Sequence, residues 1–207
     1  MARIAGRPAE FAAAAEQIRG ARLRSELVVQ EIPAPERIAP DSIALAAGVM
    51  RGPRRENGEG GSIDSADGAG RLVLMHDPAS APEWGSPFRI VCFAQAPLEV
   101  EIGVDPFISD VAWSWLVDAL SERGAQYTYL SGTATKTLSS GFGTLEAQGD
   151  AAQIELRASW TPLGHDFAAH AEAWSELLCL LSGLPHQGAG DGARAAARKE
   201  HAPGEES

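Results

Sequence analysis

A chain of 207 residues, 44% hydrophobic and 22% charged, is expected to fold as one soluble domain with tails. No apolar run approaches the roughly 20 residues of a membrane-spanning helix, and no CxxC or paired-histidine spacing points to a metal site. The net charge of −11 is uneven: five Arg and two Glu make residues 1–24 net +3, three basic and four acidic groups make 185–207 net −1, and 25–184 hold the remaining −13. So acidic a domain repels phosphate backbones, which argues against direct nucleic-acid binding.

Residues 1–7 are expected to be flexible, and a single domain is expected over 8–185. Pro8 suits a first helical turn. Phe11, Ala14, Ala15, Ile18 and Ala21 recur at helical spacing and predict a helix over 8–22. Glu26 to Ile32 reads as a strand stopped by Pro33 and Pro35. Ser42 to Met50 is alanine-rich, which favours helix, but its position before another strand favours a hairpin arm, and strand is the reading adopted. Residues 51–70 hold six glycines and almost no apolar side chain, and read as a disordered insertion. They lack the Lys-Ser or Lys-Thr of a phosphate loop.

Leu72 to Met75 and Phe88 to Ala94 are apolar on both faces, as inner strands are. Between them, Asp77-Pro78 marks a turn. Asp110 to Arg123, DVAWSWLVDALSER, is expected to be the central helix of the domain. Its apolar residues span an arc of about 200°, wider than the roughly 100° stripe of a surface helix, so two partners must cover it. Ser109 or Asp110 is the expected N-cap, and Gly124 the stop. Tyr127 to Thr137 alternates and is rich in Thr and Tyr. Ile154, Leu156, Ala158 and Trp160 alternate with Glu155, Arg157, Ser159 and Thr161, a half-exposed strand. Trp160 is expected to meet Trp113 or Trp115 in the core, with the other helix tryptophan under the last helix. Asp166 caps that helix, whose stripe is Phe167, Ala171, Trp174, Leu177, Leu178 and Leu181. Gly183 and Pro185 end it, and 186–207 is expected to be a disordered tail.

The order α-β-β-β-β-α-β-β-α predicts an α+β fold: one mostly antiparallel sheet with three helices. Cys92 reads as a core thiol and Cys179 as a partly covered one. Two thiols rather than a disulfide imply a cytoplasmic location, and the N-terminus lacks the apolar core of a secretory signal.

Several segments stand together: EIPAPERIAP at 31–40, GRLVLMHDP at 70–78, WGSPFRIV at 84–91, VAWSWLVDAL at 111–120, SGTATKT at 131–137, ELRASWTPL at 155–163 and AWSELLCLLSGLP at 173–185. Together they resemble an actinobacterial family catalogued as domain of unknown function 3000, over roughly residues 10–185. The resemblance implies no catalytic residue. The element order is also loosely similar to secretion-chaperone-like domains, a likeness of fold alone.

His76-Asp77 and His165-Asp166 are His–carboxylate neighbours, but adjacent residues rarely attain the geometry of an oriented general base, and no Ser or Cys nucleophile stands out. Asp77 reads as a turn residue and Asp166 as a cap. His170 falls within the apolar stripe of the last helix, as a half-buried, hydrogen-bonded histidine or a ligand contact. Glu155 and Arg157 read as a solvated pair on the open strand face. The leading expectation is a non-enzymatic interaction domain, adaptor- or chaperone-like, with a protein or small-molecule partner and no metal or cofactor. The alternative is a small-molecule-binding or hydrolytic enzyme with a polar cleft near Arg157, His76 and Trp84, with Glu155 and His170 as further candidate contacts.

Overall fold

The computed structural model describes residues 8–50 and 62–187. In chain order the elements are α1 (Ala9–Gly20), β1 (Leu27–Ile32), β2 (Asp41–Val49), β3 (Ala69–His76), α2 (Ala81–Trp84), β4 (Phe88–Leu98), α3 (Val100–Gly103), α4 (Ile108–Glu122), β5 (Tyr127–Ser140), β6 (Asp150–Pro162) and α5 (Phe167–Leu181), and without the short α2 and α3 they follow the expected order. The class is α+β. Among the described residues there are five α-helices rather than three, because α2 and α3 are single turns of four residues, too short to show a helical period.

The six strands form one antiparallel sheet in the order β1-β2-β3-β4-β6-β5. The pleat sends alternate residues to opposite faces. One row runs Glu31, Leu45, Leu72, Cys92, Ala158, Gly132 across the sheet on the inner face. The neighbouring row, Gln30, Ala46, Arg71, Phe93, Arg157, Thr133, lies on the outer face. The inner rows belong to the core, which α1, α4 and α5 cover; the outer rows are left largely open. The strand chosen for 42–50 is present, and its alanines Ala44, Ala46 and Ala47 are all buried.

The organising helix is α5 rather than α4. It contacts α1 on one side, α4 on the other, and β3, β4 and β6 beneath. Its stripe is wider than expected, since Ala169, Ala173, Ser175, Glu176 and Cys179 are buried as well. Gly70 makes the close approach possible: a Cβ there would come within 3.1 Å of Leu178 Cδ2 and Trp174 Nε1. Cys179, expected to be partly covered, is fully buried beside Arg24.

In α4 the two tryptophans take the flanks. Trp113 leans on Gly132 of β5, and Trp115 lines a recess with Leu180 and Leu181 of α5. Both are only partly buried. Trp160 is fully buried, and its ring neighbour is His170, 6.2 Å away, rather than a helix tryptophan. The N-cap of α4 is Phe107, two residues before Ser109 and three before Asp110. Asp105 Oδ1 accepts from Phe107 N at 2.8 Å, so the turn before the helix supplies the acceptor.

Residues 1–7, 51–61 and 188–207 lie outside the described residues, and with them most of the expected flexible segments. The rest of the expected insertion has structure. Ser65 Oγ donates to Val49 O at 2.7 Å, Arg71 pairs with Asp64 at 2.6 Å, and β3 already begins at Ala69. At the other end, Gln187 N donates to Glu176 Oε1 at 2.9 Å.

Trp160→Ala should cost about 3–5 kcal/mol, the range for truncating a packed aromatic. Trp113→Ala, at a half-open flank, should cost less. Glu155→Ala, on the outer face, should change stability by less than about 1 kcal/mol. Urea unfolding of the three variants checks the ranking; equal losses at Trp113 and Trp160 would contradict the burial assigned to each.

Candidate functional site

The five residues singled out in the sequence divide between the two sides of the sheet. Glu155, Arg157 and Trp84 belong to the outer side. Arg157 Nε bonds Glu155 Oε1 at 2.6 Å along the same strand, and its guanidinium lies 5.4 Å from the centroid of the Phe93 ring. Trp84, in α2, accepts a hydrogen bond at its backbone oxygen from Thr161 Oγ1 at 2.7 Å.

His76 and His170 lie on the inner side and do not join a cleft with Arg157. His76 ends β3, an inner-facing position, and is fully buried. Its Nε2 is 2.9 Å from Glu10 Oε1 and its Nδ1 3.5 Å from Asp41 Oδ2. The ring sits between Phe11, with centroids 5.9 Å apart, and Phe88, at 4.7 Å. It fastens α1 to the ends of β2 and β3. Asp77 does not orient it: that carboxylate accepts from Ala79 N and Ser80 Oγ, closing the turn as expected. Asp166 likewise caps α5 by accepting from Ala169 N, and His165 is exposed.

His170 is fully buried rather than half-buried. Its Nδ1 accepts from Trp160 Nε1 at 3.0 Å, which assigns the ring proton to Nε2, and Nε2 has no partner. Burial pulls its pKa down to about 4, and Asp166 opposes this weakly. Burial also pushes both thiols up to about 12, so neither Cys92 nor Cys179 is a ready nucleophile. Among the described residues no group of three or more His, Cys, Asp or Glu side chains could hold a metal ion, and no helix is long and apolar enough to cross a membrane.

Around the outer-face candidates the described residues form open recesses. One, of about 300 Å³, runs along Val91, Thr133, Arg157 and Ser159. Another, of about 450 Å³, lies between Trp84, Arg89, Tyr129 and Ser131. Arg89 and Tyr129 were missed in the sequence. Arg89 sits in a strand that reads as apolar on both faces, and the break in the β5–β6 register between Thr128 and Ser131 leaves no local signature.

A second surface lies at the corner from α3 into α4. Ile102 is 42% exposed, Val104 58%, Phe107 66% and Val111 37%. The corner is held firmly. Lys136 Nζ donates to Asp105 O at 2.8 Å, and Gly103 packs on Ala152 and Leu138. Against it, between α3 and the end of α5, lies a recess of about 330 Å³ lined by Ile102, Ile108, Trp115, Leu180 and Leu181.

The depressed pKa of His170 makes a signed prediction. In the unfolded chain the group protonates near pH 6.5, but the folded chain refuses the proton until about pH 4. Stability should therefore fall as pH drops through that window, by on the order of 3 kcal/mol. His170→Gln retains an acceptor for Trp160 and removes the titration. Its urea midpoint should change less than wild type between pH 6.5 and 4.5; parallel curves would place the titrating group elsewhere.

No curated protein and no solved structure matches the chain. One family model does, described as a protein of unknown function (DUF3000), over residues 7–190. That span is nearly the whole chain, and the protein belongs to this family.

Proposed function

We propose that this protein is a non-enzymatic interaction domain that docks a partner protein through the α3–α4 corner. The carrying observation is the cluster of Ile102, Val104, Phe107 and Val111, four exposed apolar side chains within ten residues. Apolar side chains gathered on the surface mark interaction sites more often than chance exposure does. An aromatic beside an apolar recess is the usual form of an interface anchor. The bonds to Asp105 hold the corner in one conformation, so little ordering entropy opposes docking. Adaptor or chaperone-like action in an actinobacterial cytoplasm belongs to the same reading. The enzymatic alternative has less support: its two histidines are packed away, its thiols are protonated, and its polar residues line open recesses.

A photo-crosslinking amino acid at Phe107, in the full chain expressed in its native cell, should give a discrete adduct. Val104→Asp should abolish that adduct without shifting the melting temperature by more than a few degrees. Labelling no stronger than at Glu155, on the outer sheet face, would refute docking at the corner.

A further inference from the structure

On the outer side of the sheet, away from the α3–α4 corner and sharing no lining residue with its recess, Arg89 is held in an unusual way. Every other partly or fully buried arginine among the described residues has a carboxylate within salt-bridge distance: Arg24, Arg71 and Arg123 have Glu176, Asp64 and Glu176 respectively. Arg89 has hydroxyls. Its Nη1 donates to Thr161 Oγ1 at 3.0 Å and its Nη2 to Ser159 Oγ at 2.7 Å. The Thr161 hydroxyl spends its own proton on Trp84 O, so it faces Arg89 as an acceptor. Two of the five N–H groups are thus used to fix the fork in place, and the positive charge is left uncompensated. Burial alone lowers the pKa of this guanidinium from the ordinary arginine value.

The walls beside it are aromatic. Trp84 lines one side of the 450 Å³ groove. Tyr129 lines the other, 62% exposed, with φ of 50° at the point where the β5–β6 ladder breaks. Its ring reaches across to Gly85, where a Cβ would come within 2.6 Å of Tyr129 Cε2. Gly85, with φ of 78°, is a position where glycine fits both the left-handed turn and the ring. A non-glycine residue at the φ of Tyr129 is in a sparsely populated backbone region, and such positions cluster at ligand sites. Glu83 completes the rim, exposed and beyond salt-bridge distance of Arg89.

We propose that this groove is a binding site for an aromatic monocarboxylate. The carboxylate takes the free edge of the Arg89 fork, which matches its planar geometry. The flat apolar part lies between Trp84 and Tyr129. Glu83 at the rim disfavours a second negative charge, so a dianionic phosphate is a poorer ligand than a carboxylate. The volume suits a small molecule. A free acid and the terminal carboxylate of an aromatic-ending peptide share this chemistry, and the probes below separate the two.

The full-length protein is titrated with benzoate while the indole N–H of Trp84 and the Nε–H of Arg89 are followed by NMR. Both resonances should shift along one saturable curve. Benzamide, the neutral isostere, should shift neither, and phenyl phosphate should bind more weakly than benzoate. N-acetylphenylalanine binding tenfold tighter than benzoate assigns a chain terminus as the natural source; the reverse order assigns a free acid. Arg89→Lys keeps the charge but loses the fork, and should weaken benzoate tenfold or more. Tyr129→Ala, at an exposed position that does not carry the core, should also weaken it and serves if the Arg89 variant does not fold. The proposal is overturned if benzamide binds as well as benzoate, or if benzoate leaves the Arg89 resonance unmoved. It is also overturned if Tyr129→Ala binds like wild type.

Discussion

The carboxylate of Glu176 is the interaction on which the assembly of this domain depends. It sits in the middle of α5 with no exposed surface, between Arg24 Nη1 at 3.0 Å and Arg123 Nη2 at 3.1 Å. Arg24 comes from the connection between α1 and β1, and Arg123 from the end of α4. The backbone N–H of Gln187, beyond α5, completes the shell. One carboxylate thus ties α5 to two stretches that are far away in sequence, at Arg24 and Arg123, and to the segment just beyond its own helix. Burial alone would pull the Arg24 guanidinium down, but Glu26 and Glu176 raise it above the ordinary arginine value. A buried ion pair is no sure gain against a well-packed apolar substitute. Removing one partner is another matter, because it strands a charge in the interior. The cluster therefore favours this arrangement of α1, α4 and α5 over other packings of the same apolar stripes.

That constraint divides the labour between the two sides of the sheet. On the inner side the three long helices are fixed by both packing and polar bonds: α4 and α5 through Arg123 with Glu176, α5 also by His170 with Trp160, and α1 by His76 with Glu10. Among the described residues the outer side receives no long helix. Its side chains balance one another locally, as in Arg157 with Glu155 and Arg71 with Asp64. Arg89 stands apart because its neighbours are hydroxyls. In a chain of net charge −11, a partly buried guanidinium without a carboxylate in salt-bridge distance is an exception among the described residues.

What the sequence made legible were the patterns that repeat over many residues. The alternation from Ile154 to Trp160 placed those four side chains on the buried face, and all four are buried there. The stripe from Phe167 to Leu181 marked α5. Residues 41–49 form a strand despite their alanines because a pleated position between two close strands accepts a small side chain. The centre of the fold was misread because α4 shows the wider apolar arc, yet its two tryptophans are flank residues. Nothing local told Glu176 from a solvated glutamate, since its partner Arg24 is 152 residues away. His76 was drawn toward a cleft by the strand end on which it sits, and only the register shows that it points inward. The α3–α4 corner was hidden because α3 is a single turn, too short to show a helical period that would set Val104 and Phe107 apart.

With the inner side closed in this way, its reactive groups are out of reach. Two thiols held near pKa 12 and a histidine near 4 are products of burial, not tuned reagents. The two proposed surfaces work by different physics. The corner offers apolar area, whose contribution to binding depends little on salt. The Arg89 groove offers one uncompensated charge and two rings, and an ion pair formed at a partly exposed site weakens as salt screens it. A partner that used both surfaces at once would have to reach around the sheet from its helical side to its open side. The two proposals therefore call for two separate ligands, one a protein surface and one a small acid.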